Sequence, residues 1–194
     1  MGLTWRQCQT WETSGTLWAH AIGHGGEKIS DLHNNLGVWW AKEGDFDAAV
    51  SELEQAVRLR PDRQESFVNL ANAQSQKGDV DGAVRTLHIA SLRWPDQVRI
   101  RGLLGKMLFQ KGQYADAANE YRAVVKLQPQ AASAHLYLAH VLAQGGYYSA
   151  AADQYAETLR LSPDDAEAQR GWSNLRRQME SPDHAKSSKP SEGG

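Results

Sequence analysis

GDFDAAVSELEQAVRLRP, residues 44–61, returns three times in altered form: GDVDGAVRTLHIASLRWP at 78–95, GQYADAANEYRAVVKLQP at 112–129 and GYYSAAADQYAETLRLSP at 146–163. Gly44, Gly78, Gly112 and Gly146 therefore stand 34 residues apart, and so do Pro61, Pro95, Pro129 and Pro163. A second matching stretch precedes the glycines, as in HNNLGVWWAKEG, FVNLANAQSQKG and HLYLAHVLAQGG. A fixed period of this size marks a repeat array, in which each unit buries its apolar face only against its neighbours.

Each unit reads as two helices. Leu32, Leu36, Trp39 and Trp40 recur at helical spacing before the first glycine; Phe46, Ala49, Val50, Leu53, Ala56 and Val57 do so after it. The glycine falls where the first helix must end and reverse, a position that favours a left-handed backbone. Asp45, Asp79 and Ser149 stand ready to cap the helix that follows, whereas the third unit offers only Gln113. The proline closes the second helix. Ala49, Ala83, Ala117 and Ala151, again 34 apart, let the paired helices approach closely. Two antiparallel helices per unit, four units deep, predict an all-α solenoid.

The pattern resembles the tetratricopeptide repeat (TPR) family, whose signature runs from a large residue through Leu-Gly and an aromatic to Ala, an aromatic and Pro. The first unit matches with His33, Leu36-Gly37, Trp40, Ala49, Leu53, Ala56 and Pro61. The second has Phe67, Leu70-Ala71, Ala83, Leu87, Ala90 and Pro95, with Gln74 where an aromatic is usual. The third has Leu104-Gly105, Leu108, Ala117, Tyr121 and Pro129, with Arg101 at the large apolar place. The fourth has Leu138-Ala139, Leu142, Ala151, Tyr155 and Pro163, with Thr158 in place of a small apolar residue. The resemblance implies a right-handed superhelix of antiparallel helix pairs. Its repeats would span 30–63, 64–97, 98–131 and 132–165.

Both ends depart from the repeats. After Pro163, DDAEAQRGWSNLRRQME begins with acidic caps and sets Ala168, Trp172, Leu175 and Met179 on one face, so 164–180 reads as a capping helix. Gly171 inside it weakens the helix by about 1 kcal/mol relative to Ala, which packing by Trp172 must offset. Residues 181–194 hold no apolar run and are expected to be disordered. Residues 1–29 read as a linker and an N-terminal capping half-repeat, with Thr13 or Ser14 as cap and Leu17, Trp18, Ala21 and Ile22 inward. LTWRQCQTWETSGTLWAHAI, continuing to HNNLG, also resembles the juxtamembrane segment of bacterial multi-pass glycosyltransferases that carry C-terminal TPRs. Trp5 and Trp11 beside Arg6 suit a membrane interface; packing against the repeats is the other reading.

Composition narrows the function. Net charge is −2 and pI about 6.4, so the chain carries no electrostatic footprint for nucleic acid. Mean hydropathy is −0.60, and no apolar run of about 18 residues predicts membrane insertion of this chain. Cys8 is the single cysteine, which excludes an internal disulfide. The compartment follows from context: cytoplasmic for a soluble chain without a signal, the extracytoplasmic membrane face for the tail of a multi-pass protein.

The first helices of the pairs would line the concave face that TPR stacks use for ligands. Candidate peptide-binding residues there are Asn34, Asn35, Val38 and Lys42 in the first unit and Asn69, Asn72 and Gln76 in the second. Arg99, Lys106, Phe109 and Gln110 follow in the third, then Tyr137, His140 and Gln144 in the fourth. Asn35 and Asn69, 34 apart, should stand one above the other, each offering one acceptor and two donors to a peptide backbone. They resemble the asparagine ladder of the O-GlcNAc transferase array, although Leu103 and Tyr137 end it here. Val38 and Leu103 also occupy places where TPR carboxylate clamps need polar or basic groups, which disfavours a chaperone-tail adaptor. Asp31 and Glu65 lie at one end of the groove, Arg99, Arg101 and Lys106 further along.

No catalytic arrangement accompanies this surface. The glycines mark turns rather than a phosphate loop, and no Ser/His/Asp set is spaced for nucleophilic work. His20 and His24 stand four apart as helical metal ligands can, yet without a carboxylate partner, so neither metal nor cofactor is expected. The expectation is a non-enzymatic scaffold that binds a peptide or helix of another protein. Two alternatives are a substrate-presenting accessory domain of a membrane glycosyltransferase and a self-associating module that forms a homo-oligomer.

Overall fold

A computed structural model describes residues 14–26 and 28–180. Trp5, Arg6 and Trp11, Thr13 and the tail from Ser181 lie outside the described residues. Among the described residues every regular element is helical, with ten α-helices in all. The chain divides into two compact units, Met1–Ile100 and Arg101–Gly194.

In the first unit α1 (Ser14–Ala21) leads through a kink at Ile22–Gly26 to α2 (Ser30–Glu43) and α3 (Phe46–Leu59). These are followed by α4 (Gln64–Lys77) and α5 (Val80–Arg93). His24 (φ −114°) and Gly25 (φ 99°) break the helix at that kink. Each helix packs on the next from α1 through α5, apart from the turn between. Trp18, Ala21 and Ile22 of the first segment are partly buried, but Leu17, expected inward, is 41% exposed. A helix of two turns covers its neighbour along a narrow strip, and the face through 18, 21 and 22 takes it.

The second unit contains α7 (Tyr114–Leu127), α8 (Ala132–Gln144), α9 (Tyr148–Leu161) and α10 (Ala166–Glu180); α6 (Val98–Gln110) runs across the division. There α8 packs on α7 and α9, and α10 on both α9 and α8. No helix among the described residues is long and apolar enough to cross a membrane.

The turns follow their residues. Gly44, Gly78, Gly112 and Gly146 all have positive φ, between 73° and 91°, and reverse the chain between the helices of each pair. Asp45 Oδ1 accepts from the Ala48 N–H and Asp79 Oδ1 from the Gly82 N–H, as N-caps. Ser149 does not cap α9: it lies inside that helix, and Tyr147 holds the cap position without a side-chain bond. Gln113 likewise makes no cap bond. Asp165 Oδ1 accepts from both Glu167 and Ala168 at the start of α10.

Close approach needs small residues. Ala49, Ala83, Ala117 and Ala151 are all fully buried, and a Cβ on Gly37 would meet Leu53 Cγ at 2.6 Å. Ala49, Leu53, Leu70 and Ala73 form a core cluster flanked by Val38, Trp40 and Val57. Polar residues that stand where the signature asks for a large residue turn out to be paired. His33 Nδ1 lies 2.7 Å from Glu52 Oε2, Arg101 donates to Glu120 at 2.8 Å, and His135 Nδ1 meets Gln154 Oε1 at 2.9 Å. Each pair is 19 residues apart and ties the two helices of one pair together. Gln74, standing where an aromatic is usual, accepts from the Thr86 hydroxyl at 2.8 Å. Thr158 is fully buried and donates to the Gln154 carbonyl.

Candidate functional site

Among the described residues, hollows open between first helices of successive pairs. In the first unit a groove of about 330 Å³ lies between α2 and α4. Val38, Ala41 and Lys42 form one wall, Asn69, Asn72, Ala73 and Gln76 the other, and Leu53 of α3 supplies the floor. The helical step explains the arrangement: 38, 41 and 42 share one face of α2, and 69, 72, 73 and 76 share one face of α4. Lys42, Asn72 and Gln76 make no side-chain bond to other described residues, so their polar ends are free to meet a ligand.

Asn34 does not belong to this groove wall. It is 2% exposed, and its Oδ1 accepts from Ser66 Oγ at 3.2 Å and Asn69 Nδ2 at 3.1 Å. Neighbouring first helices come close enough there for the carboxamide to be consumed between them. Asn35 and Asn69 are consequently unlike: Asn69 lines the groove with one amide hydrogen committed to Asn34, while Asn35 is half-buried outside the lining. Asp31 and Glu65 are also engaged, both bonded by the Arg63 guanidinium, with Glu65 at 2.8 Å.

The second groove, about 480 Å³, lies between α8 and α10. His140, Ala143 and Gln144 line it from α8; Glu167, Arg170, Gly171, Asn174, Leu175 and Gln178 line it from α10; Phe109 and Tyr155 complete it. A Cβ at Gly171 would stand 2.5 Å from Tyr155 Cε1, so glycine is what lets α10 lie against that ring. The residue that weakens the helix is thus the one that fits the ring, and Trp172 beside it is half-buried. Ala168 and Leu175 of α10 are buried as expected, whereas Met179 is 46% exposed.

Burial sets the chemistry of the second groove. Desolvation pushes the Tyr155 hydroxyl up to about 12, with the Glu167 charge adding to the effect. The His140 ring meets Tyr155 edge-on at 5.6 Å. Desolvation holds its pKa below the ordinary histidine value, opposed by Glu167, 3.7 Å away, and by Asp165. A neutral imidazole therefore faces the groove at neutral pH.

Of the remaining candidates, Phe109, His140 and Gln144 line the second groove, Phe109 with its ring edge against Tyr114 at 5.5 Å. Tyr137 is 52% exposed and stacks on Tyr121 at 5.8 Å, outside the lining. Arg99, Lys106 and Gln110 are exposed and line neither hollow. The sequence pattern offers no candidates on α10 because that helix reads as a cap. One signal could have found them: Gln76, Gln110, Gln144 and Gln178 keep the 34-residue step through α10. His20 and His24 stack face to face at 3.9 Å rather than converging on a common point, and no cluster of metal-ligating side chains forms among the described residues.

Tetratricopeptide repeat models match residues 41–107 and 103–166, together more than half of the chain. No curated relative matches it. Among solved structures, a crystal structure of MamA is similar with a TM-score of 0.70 at 18% identity, covering 79% of this chain and 82% of that one. A MamA structure from MSR-1 gives 0.65 at 23% identity, covering 82% and 90%. YrrB, a TPR protein with an unusual peptide-binding site, gives 0.70 at 17% identity, covering 89% and 88%. At these identities the likeness establishes the helix-pair fold.

Proposed function

The chain belongs to the tetratricopeptide repeat family, and from that premise we propose that it is a protein-interaction scaffold holding a segment of a partner against its first helices. The observation that carries the reading is the α2–α4 groove. Its apolar lining, Val38 and Ala73 among the walls and Leu53 at the floor, stands beside the unengaged polar ends of Lys42, Asn72 and Gln76. A hollow with an apolar floor and a few unpaired polar groups at its rim is suited to a peptide side chain and its flanking backbone. The likeness to YrrB, a TPR protein with a peptide-binding site, supports the same reading. An accessory role beside a membrane glycosyltransferase would use this surface to present an acceptor segment.

The test is calorimetry with peptides selected on the full chain. Asn72→Ala with Gln76→Ala should weaken a groove-bound peptide by roughly tenfold, the scale of one to two net hydrogen bonds. Self-association of the wild type at the same concentrations, with no peptide retained, would replace this reading by the homo-oligomer.

A further inference from the structure

We propose that the outer side of α5 docks an acidic amphipathic helix of a partner protein, at a surface separate from the α2–α4 groove. Helix α5 buries Gly82, Ala83, Thr86, Leu87 and Ala90 and turns Arg85, His88, Ile89 and Leu92 to solvent. Leu92 is 71% exposed and Ile89 53%. The other second helices do not share this pair. At the place of Ile89 they hold Gln55, Ala123 and Glu157, and at the place of Leu92 they hold Arg58, Lys126 and Arg160. A transposition produces the difference: Arg58-Leu59, Lys126-Leu127 and Arg160-Leu161 become Leu92-Arg93 in α5. The leucine thereby faces outward, while Arg93 donates to the Pro61 carbonyl and lies 5.9 Å from the centre of the Phe67 ring. Two neighbouring aliphatic side chains left in water add nothing to the fold, and such a patch marks a surface that something covers.

The shape and charge of the patch name its occupant. The backbone groups of α5 are bonded within the helix, so a strand laid on it would find no ladder partner. A second helix needs none. It can seat its side chains between the Arg85–Ile89 row and the His88–Leu92 row, each four residues in step. Arg85 and Arg93 have no carboxylate partner among the described residues, whereas Asp81, one turn before Arg85, is already engaged. Acidic side chains flanking the apolar seam of the incoming helix would supply the missing counter-charge. A second copy of this chain fits poorly, because a two-fold contact sets the same cations against each other. A membrane surface fits poorly too. It takes up a broad apolar face, and here the rest of α5 is spent on the fold.

A phage library of helical hairpins, randomised on one helix face, is panned on the full chain with counter-selection on Ile89→Gln with Leu92→Arg. That variant gives α5 the residues that α3 carries at the same places, so it should melt as the wild type does; Leu92→Arg alone is the second variant. Selected helices should carry Glu or Asp beside two apolar residues and bind either variant at least tenfold more weakly than the wild type. Arg85→Glu should weaken them as well, and exchanging their acids for lysine should restore binding to that variant. Asn72→Ala with Gln76→Ala should leave them unaffected, so the groove reading and this one stand or fall separately. Helices that hold the variants as tightly as the wild type, or none that survive counter-selection, would overturn the proposal. So would a wild-type dimer in sedimentation that the variant abolishes, or phosphatidylserine vesicles that bind the wild type and not the variant, since a second copy or a lipid surface would then be the occupant.

Discussion

The Tyr155 ring fills the space that a Cβ at position 171 would occupy, its Cε1 only 2.5 Å from that point. Two effects oppose each other in Gly171→Ala. In an open helix the change would stabilise by about 1 kcal/mol. Forcing a methyl against a ring that is 2% exposed should destabilise by roughly 1–3 kcal/mol. Overpacking wins, so the variant should melt below the wild type, and a raised melting temperature would mean that Tyr155 moves aside freely.

Asn34→Ala removes the acceptor shared by Ser66 Oγ and Asn69 Nδ2. Ser66 is fully buried, so its orphaned hydroxyl should cost about 1–3 kcal/mol. Asn35→Ala, one residue away and half-buried without such a bond, should stay within about 0.5 kcal/mol. Denaturant unfolding of the two variants separates them, and equal losses would count against the buried network.

Helix ends and helix pairing were legible because they depend on local residues: a glycine that reverses the chain, an aspartate that caps, an alanine that lets two backbones meet. The binding surface was legible only as a register. Periodicity placed Asn34, Asn69 and Asp31 on first helices, yet could not tell that Asn34 would be consumed between neighbouring helices or that Arg63 would bond Asp31 and Glu65. Those bonds depend on how closely separate helices approach. Gly171 misled for the same reason: along the helix it is a weakness, while across the helix pair it is the residue that fits.

Ala49 is fully buried where α3 meets α2, and a Cβ on Gly37 would lie 3.1 Å from its carbonyl oxygen. Ala49→Leu should therefore overpack the crossing by roughly 1–3 kcal/mol. Ser51→Leu on the exposed side of the same helix is the control. Thermal melts of both variants check the helix register, and equal melting temperatures would contradict it.

His140 predicts a direction of pH dependence. Burial holds its folded-state pKa below the ordinary 6.5, so the fold favours the neutral ring. The unfolded chain then binds more protons as pH falls below about 6.5, and stability from this group, present above that value, declines through the window beneath it. His140→Gln should flatten the slope of stability against pH between about 6.5 and 5. Unfolding at several pH values reads the slope, which should be unchanged if Glu167 compensates the desolvation fully.

The polar ties between paired helices bear on how such a chain assembles at all. Near-copies in one sequence invite a first helix to join the wrong second helix, since their apolar faces are interchangeable. The ties differ in kind apart from the two histidine pairs: His33 answers Glu52 and His135 answers Gln154, whereas Gln74 answers Thr86 and Arg101 answers Glu120. Arg101 set against Gln154 would leave a largely buried cation without its counter-charge, a mispairing that costs more than a correct tie contributes. The second and third helix pairs therefore carry addresses of their own. Refolding yield, more than melting temperature, is the quantity in which the loss of those addresses would register.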